Sequence, residues 1–171
     1  IVGHDAEGRS KALLGVFRVG RRTGNLRNTR ISIELGSRNS RPRVQVADDA
    51  IDLAMRTNPA LQTIYLVYDN TESAQSTTRL AVESIRNINH NIEIIHINNL
   101  TYLEILDQLK SVSDNSIVYI LSHYVDNEGN TMEFDEFCKR ASTVCPVPVF
   151  HLYDFTVGHG SVGGSMLTGR L

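Results

Sequence analysis

From about residue 50 onward, apolar and polar residues follow two different periods in turn. Compact runs rich in β-branched and aromatic residues predict buried strands, and stretches with apolar residues every three or four positions predict amphipathic helices. A first helix is expected around Ile51, stopped by Asn58-Pro59. After it come strands at 63–69, 91–97, 116–122 and 147–153, separated by helices at 71–88, 101–112 and 133–142. The helix at 101–112 is expected to turn Tyr102, Leu103, Leu106 and Leu109 inward.

This regular alternation predicts an α/β fold, a Rossmann-like three-layer arrangement around a parallel sheet. Parallel strands are buried on both faces, which agrees with the nearly continuous apolar character of these runs. Ligands of such sheets bind beyond the carboxyl ends of the strands. The loops expected to carry function are therefore 69–76, 97–101, 122–130 and 153–164.

Residues 1–45 form a basic N-terminal segment, which the sequence separates from an α/β lobe at 46–171. The segment holds ten of the 17 Lys and Arg residues but only three acidic ones, whereas the net charge of the chain is −2. Phe17 is its one aromatic residue and lysine runs are absent, so a solvated basic face is favoured over a nucleic-acid site. A hairpin of 15–19 with 30–35 is predicted, followed by a linker at 37–43.

Cysteine spacing and hydropathy exclude several classes of protein. The two cysteines, Cys138 and Cys145, form neither a CxxC motif nor a zinc-ligand pattern with histidine. Two buried thiols are favoured, with a disulfide of an exported protein as the alternative. No apolar run reaches the 18 residues that suggest a membrane span. Neither a metal nor a cofactor is predicted.

A glycine motif of the form G-x-G-x-x-G occurs at Gly158, Gly160 and Gly163. In a dinucleotide-binding loop the first glycine ends the first strand of the fold, and an acidic residue follows about 20 positions later. Here the glycines come after the fourth predicted strand, and the chain ends at Leu171. The position favours glycines that let the backbone approach another ligand. Nucleotide binding and a flexible connection with positive φ remain the alternatives.

Two further loops carry polar residues at strand ends. In "YDNTES" (68–73), the hydroxyls and the start of a helix suit a carboxylate or another polar group, and Glu72 could accept from an ammonium. Capping by Asn70 or Thr71 is the alternative explanation. In "SHYVDNEGN" (122–130), the first three residues are placed to reach the same crevice. Its acidic residues are attributed to a turn rather than to a calcium site.

Catalytic arrangements find little support in the residue pattern. Ser122, His151 and Asp154 could form a triad, but the G-x-S-x-G nucleophile elbow is missing. Phosphoacceptor chemistry at Asp69 is disfavoured because no lysine follows Lys139. The domain itself is therefore not expected to be an enzyme.

Taken in order, several stretches resemble one known family. "DLAMRTNPALQTIYLVYDNTESAQ", "LSHYVDNEGN" and "PVPVFHLYDFTVGHGSVGG" look like the second lobe of the ABC-transporter substrate-binding-protein family, which has a type I periplasmic-binding fold. The same module occurs in extracytoplasmic sensor regions of bacterial histidine kinases and diguanylate cyclases. The resemblance runs from about Ala50 to the end of the chain.

The resemblance implies a two-lobed clamp that closes on a small ligand, such as an amino acid, without chemistry. It also implies that this chain holds one lobe, shortened at its C-terminus, with residues 1–45 as an uncertain part of the other. Carried over by position, the ligand-binding candidates are Asn70, Thr71, Glu72, Ser73, Ser122, His123, Tyr124, Asp154, Gly158 and Gly160, with the loop continuing to Gly164.

Three classes of function follow for testing. The favoured one is a sensor-input or solute-binding domain, extracytoplasmic and part of a membrane-anchored protein that carries a kinase or cyclase domain if it is a sensor. Its partner is a small molecule rather than nucleic acid, and its exposed inter-lobe face suggests a homodimer. The alternatives are an intracellular Rossmann-like enzyme binding a nucleotide through the GHGSVG loop, and a pure interaction module.

Overall fold

A computed structural model describes residues 2–4, 10–12 and 43–162. The chain divides into two compact units, Ile1–Asn39 and Ser40–Leu171.

The described part of the first unit is a small antiparallel sheet. Its strands are β1 (Val2–His4) and β2 (Ser10–Ala12), paired so that Gly3 lies opposite Lys11. The hairpin predicted at 15–19 and 30–35 lies outside the described residues.

In the second unit helices and strands alternate, which confirms the periodicity of the sequence. The elements are α1 (Arg43–Thr57), β3 (Thr63–Val67), α2 (Glu72–Ile88), β4 (Glu93–Ile97), α3 (Tyr102–Leu109), β5 (Ser116–Ile120), α4 (Phe134–Val144) and β6 (Val149–His151). The strands are shorter than predicted: β3 and β5 end two residues earlier, β4 begins two residues later, and β6 is shorter by two residues at each end. Among the described residues, no helix has the length and apolarity that a membrane span requires.

The four strands of this unit form one parallel sheet in the order β4-β3-β5-β6. Ile64 of β3 lies between Ile94 of β4 and Ile117 of β5, so the register is the same across the three strands. All three pairings are parallel, which confirms the predicted α/β fold class.

Two apolar clusters cover the two faces of the sheet. On one face, Ile51 of α1 and Ile85 of α2 pack with Ile64 and Tyr119. On the other, Ile105 of α3 and Phe137 of α4 pack with neighbouring strand residues such as Val118. Neighbouring residues of one strand point to opposite faces, so both faces need apolar residues and the strands are continuously apolar.

The prediction for the inward face of α3 was wrong at one position. Leu103 is 76% exposed, whereas Tyr102, Ile105 and Leu109 are buried and Leu106 is half-buried. The buried residues follow the spacing i, i+3, i+7, and Leu103 lies about 100° around the helix from Tyr102.

The cysteines occupy α4 and its end as free thiols, with Cys138 buried and Cys145 half-buried. Burial raises the pKa of the Cys138 thiol to about 11, and a hydrogen bond with Ser161 only partly offsets this. The Cys138 thiol is therefore protonated and unreactive at neutral pH.

Candidate functional site

The strand order places a crevice at the carboxyl ends of β3 and β5. From β3 the chain passes along the α1/α2 face through α2 to β4 at the sheet edge. It then returns through α3 on the opposite face to β5, on the far side of β3. The loops after β3 and β5 leave the sheet towards opposite faces, which is the arrangement that opens a ligand crevice in parallel α/β sheets.

Asp69, two residues after β3, joins the walls of this crevice. The residue is 2% exposed, and its backbone N–H donates to the Ser122 carbonyl at 3.0 Å. Its Oδ1 accepts from the backbone N–H of Thr71 at 2.9 Å and from the Thr71 hydroxyl at 2.5 Å. Its Oδ2 accepts from the Tyr124 backbone N–H at 2.6 Å. One buried carboxylate therefore fixes the loops after both strands.

The first predicted loop caps α2. The Thr71 hydroxyl accepts from Ala74 N–H at 3.2 Å, which confirms the capping role considered for this residue. Asn70 is exposed, and its Nδ2 donates to Asn99 Oδ1 at 2.7 Å, so it links this loop to the loop after β4. Glu72 and Ser73 are exposed on the first turn of the helix.

The predicted residues after β5 differ widely in exposure. Ser122 and His123 are each 1% exposed, whereas Tyr124 is 46% exposed. The His123 ring lies edge-on to Tyr102 at 5.0 Å between ring centroids and 5.2 Å from Phe137. Ser122 contributes its carbonyl to Asp69, so of these residues the Tyr124 side chain is the most accessible.

The DNEGN segment is a turn, as the sequence predicted. Val125 and Thr131 form an antiparallel bridge, and Gly129 has a φ of +85°, which a residue with a side chain rarely adopts. Asp126 is the centre of the turn. Its Oδ1 accepts from the backbone N–H groups of Glu128 at 3.0 Å and of Asn130 at 2.8 Å.

The other oxygen of Asp126 reaches the neighbouring helix. Oδ2 accepts from the Asn130 side chain at 3.1 Å and from the Tyr102 N–H at the start of α3 at 3.4 Å. Burial opposes ionisation, but these hydrogen bonds from Asn130, Glu128 and Tyr102 outweigh it and lower the pKa of Asp126. Asp126 is therefore a carboxylate at neutral pH.

The three loops after β4, β3 and β5 enclose a cavity of about 270 Å³. The lining consists of polar loop residues and two apolar ones, namely Asp69, Asn70, Thr71, Asn99, Leu100, His123, Val125, Asp126 and Asn127. Within the described residues, no group of three His, Cys, Asp or Glu side chains is arranged to hold a metal ion.

The glycine loop turns back along α4. Asp154 begins a 3-10 turn (Asp154–Thr156), and Gly158 is exposed with a φ of +96°. A Cβ on Gly160 would lie 1.8 Å from the Ser142 hydroxyl of α4, so this glycine is explained by close packing. Ligand contacts at Asp154, Gly158 and Gly160 stay predictions, as does nucleotide binding, and Gly163 and Gly164 lie outside the described residues.

A row of aromatic rings lines the other side of the carboxyl edge, and the sequence interpretation did not identify it. Phe134 contacts Tyr124 at 4.6 Å, His151 at 5.6 Å and Tyr153 at 5.8 Å between ring centroids. His151 Nδ1 accepts from the Tyr153 backbone N–H, and burial lowers the pKa of His151 to about 3. Such a ring is poorly matched to general base catalysis near neutral pH.

Comparison with solved structures shows the fold. The chain is similar to a conserved domain protein from Vibrio cholerae O1 biovar El Tor, with a TM-score of 0.51 and 20% identity over 70% of this chain and 38% of that one. No family model matches the sequence, and no curated protein matches it.

Two further structures are similar at lower scores. One is the ligand-free, open structure of a substrate-binding protein with adhesive properties from Clostridium difficile, with a TM-score of 0.49 and 16% identity over 65% of this chain and 36% of that one. The other is an extracellular ligand-binding receptor from Verminephrobacter eiseniae, with a TM-score of 0.43 and 10% identity over 64% and 30%. This chain therefore spans 38% or less of the length of each of the three.

Proposed function

We propose that this domain binds a small polar molecule at the carboxyl edge of its parallel sheet and performs no chemistry on it. One observation carries the proposal: three loops that are separate in sequence enclose one polar cavity beside the topological switch point of the sheet. Asp69 holds two of those loops together through buried hydrogen bonds. A binding site needs such preformed walls.

The ligand contacts belong to the accessible residues of these loops. Asn70 and Thr71 line the cavity, and Asn99 and Asn127 face them from the loops after β4 and β5. Tyr124 offers an accessible ring next to this lining, in contact with Phe134 of the aromatic row. Amide and hydroxyl groups fix orientation by hydrogen bonding, and a ring adds apolar contact.

Thermal unfolding of the complete chain with a panel of amino acids, polyamines, nucleotides and organic acids tests the proposal. A ligand that binds only the folded state raises stability by RT ln(1 + [L]/Kd), about 2.7 kcal/mol at 100 times Kd. The expected result is a saturable rise in Tm with at least one member of the panel.

A matched pair of variants assigns the effect to the site. Asn70→Ala removes a cavity-lining amide and should weaken the ligand-induced shift. Asn91→Ala removes an exposed amide just before β4, at the amino ends of the strands and away from the cavity, and should leave the shift unchanged. Equal loss in both variants, or no shift with any compound, would contradict the proposal.

For the parent protein we propose a clamp of two lobes outside the cytoplasm, acting as a sensor input or a solute-binding component. The resemblance of "YDNTES" and the later loops to substrate-binding proteins supports this. The ligand would favour closure because it contacts both lobes only when the clamp is shut, so its binding stabilises the shut state. The parent reading frame tests the proposal: a membrane helix with a kinase or cyclase domain indicates a sensor, and a lipoprotein leader indicates a transporter component.

A further inference from the structure

Two buried carboxylates border the cavity without a cationic partner among the described residues. Asp69 is 2% exposed and Asp126 is 8% exposed. Buried carboxylates are stabilised by hydrogen bonds, by an opposite charge or by both, and at Asp69 and Asp126 the described residues supply hydrogen bonds alone. The ion pairs formed between two described residues instead use Asp52, Asp107, Glu136 and Asp135.

His123 lines the same cavity but does not supply a positive charge. Burial lowers the pKa of its ring, and Asp69, Asp126 and the residue's own backbone only partly oppose this. Its Nδ1 is buried, and no other described residue hydrogen-bonds to that atom. At neutral pH the ring is therefore an uncharged polar group between two carboxylates, in contact with Tyr102 and Phe137.

The two helix starts beside the cavity are already occupied by oxygen atoms of the protein. At α2, Asp69 accepts from Thr71 N–H and the Thr71 hydroxyl accepts from Ala74 N–H. At α3, Asp126 accepts from Tyr102 N–H, and the Glu104 carboxylate accepts from Thr101 N–H at 2.8 Å. Oxygen atoms of the protein thus engage the N–H groups of Thr71 and Ala74 at α2 and of Thr101 and Tyr102 at α3, which leaves fewer donors for an anion at the two helix starts.

The asparagines of the cavity lining also leave the cavity without a positive charge. Asn70 Nδ2 donates to Asn99 Oδ1, and Asn127 Nδ2 donates to the Asn99 carbonyl at 3.2 Å. Asn70 and Asn127 thus each use an amide donor within the lining itself, and neither lysine nor arginine occurs in the described lining. The walls offer acceptor oxygens and negative charge, so an anion would meet uncompensated repulsion there.

We propose that this cavity receives the cationic group of an organic ligand, an ammonium or a guanidinium, rather than an anionic group. The inference rests on the proposed function and names the charge of its ligand. Of the ligand groups that the sequence suggested for the 68–73 loop, it keeps an ammonium and drops the carboxylate. A volume of about 270 Å³ lies just below the range of about 300–1,000 Å³ for drug-sized ligands, so it suits a small cation or one end of a larger molecule.

The test titrates the complete chain with methylguanidinium chloride and ethylammonium chloride at constant ionic strength. Sodium acetate, sodium phosphate and sodium chloride serve as matched salts. Both organic cations should raise Tm saturably at neutral pH, and the three sodium salts should not. Side-chain amide resonances of Asn70, Asn99 and Asn127 should shift in the same titrations, which measures binding without any variant.

Two charge-neutralising variants locate the effect. Asp126→Asn keeps the shape of the turn residue and removes one cavity charge, so cation affinity should fall about tenfold, as for the loss of one charge-assisted contact. Asp114→Asn removes an exposed carboxylate just before β5, at the amino ends of the strands and away from the cavity, and should leave the affinity unchanged. If Asp126→Asn does not fold, the amide titrations of the natural chain decide alone.

The outcomes separate this inference from the proposed function. Saturable binding of acetate or phosphate with shifts of the cavity amides, or equal cation affinity in Asp126→Asn and the natural chain, overturns the cation assignment. Binding of a neutral or anionic compound of the panel at these amides overturns it too, but leaves the proposed function standing. Absence of binding by every probe and every panel compound overturns both.

Discussion

Asp69→Asn is the substitution that probes most directly how the crevice is built. The side chain keeps its size and shape, so the change removes the charge and one acceptor without creating a cavity. Asp69 is 2% exposed and accepts three hydrogen bonds, two from Thr71 and one from Tyr124 N–H. An amide has one acceptor oxygen and cannot serve both loops.

The magnitude follows from those contacts. If the amide oxygen stays with Thr71, its NH₂ group faces the Tyr124 N–H, which then loses its acceptor. A buried donor left without an acceptor costs about 1–3 kcal/mol, and the remaining bonds lose their charge-assisted strength. We therefore expect the free energy of unfolding to fall by about 2–4 kcal/mol. For a chain of this size, each kcal/mol corresponds to about 2–4 °C in Tm.

Urea unfolding of the complete chain measures this change as a lower midpoint at unchanged m-value. Asp114→Asn is the matched control, because it removes an exposed carboxylate and should change stability by less than about 0.5 kcal/mol. An Asp69→Asn protein as stable as the control would refute the role assigned to the buried carboxylate. A changed m-value would instead indicate an altered unfolded or native state.

Two further predictions concern the carboxyl edge and α4. Burial lowers the pKa of His151 from 6.5 to about 3, so between these pH values the unfolded chain binds a proton that the folded chain does not. As the pH falls below 6.5, this ring should lower stability with a slope that approaches about 1.4 kcal/mol per pH unit, which amounts to about 2 kcal/mol between pH 7 and 5. Urea unfolding at the two pH values measures it; His151→Asn should remove this contribution and His90→Asn should not. Gly160→Ala should destabilise by about 2–4 kcal/mol because its Cβ meets Ser142 at a φ of +97°, whereas Gly158→Ala, with open space around it, should cost about 1–2 kcal/mol. Equal losses in the two alanine variants, measured by the same assay, would contradict the packing role of Gly160.

The fold was predictable because each element carries its own local pattern. The continuous β-branched and aromatic run at 63–67 indicates a buried strand, the 3.6-residue stripe of α2 indicates a helix, and both appear where expected. The local pattern was less informative for α3, where three apolar residues lie close together. Only packing against β5 and α4 decides that Ile105 is buried and Leu103 is exposed.

The glycine loop illustrates a second limit. The G-x-G-x-x-G motif and its position after a strand suggested a loop that approaches a ligand. The φ values of +96° at Gly158 and +97° at Gly160 explain why these positions favour glycine. The sequence does not contain the reason for Gly160, which is its contact with Ser142, a residue in another element. The glycine spacing indicates that a side chain is not tolerated at Gly160. Only the fold shows that the Ser142 side chain excludes it.

The charge of the cavity follows the same logic and changes the expected ligand. Viewed locally, "YDNTES" and "TYLEIL" are helix starts with free N–H groups, which favour an anion. At α3 the carboxylate comes from another loop, because Asp126 is 24 positions from Tyr102. At α2 it is Asp69 of the same loop, whose other oxygen accepts from Tyr124, 55 positions away. The strand order brings the loops together, and each carboxylate then reverses the polarity that its helix start would have alone. A helix start is therefore evidence for an anion site only after the carboxylates of the neighbouring loops have been placed.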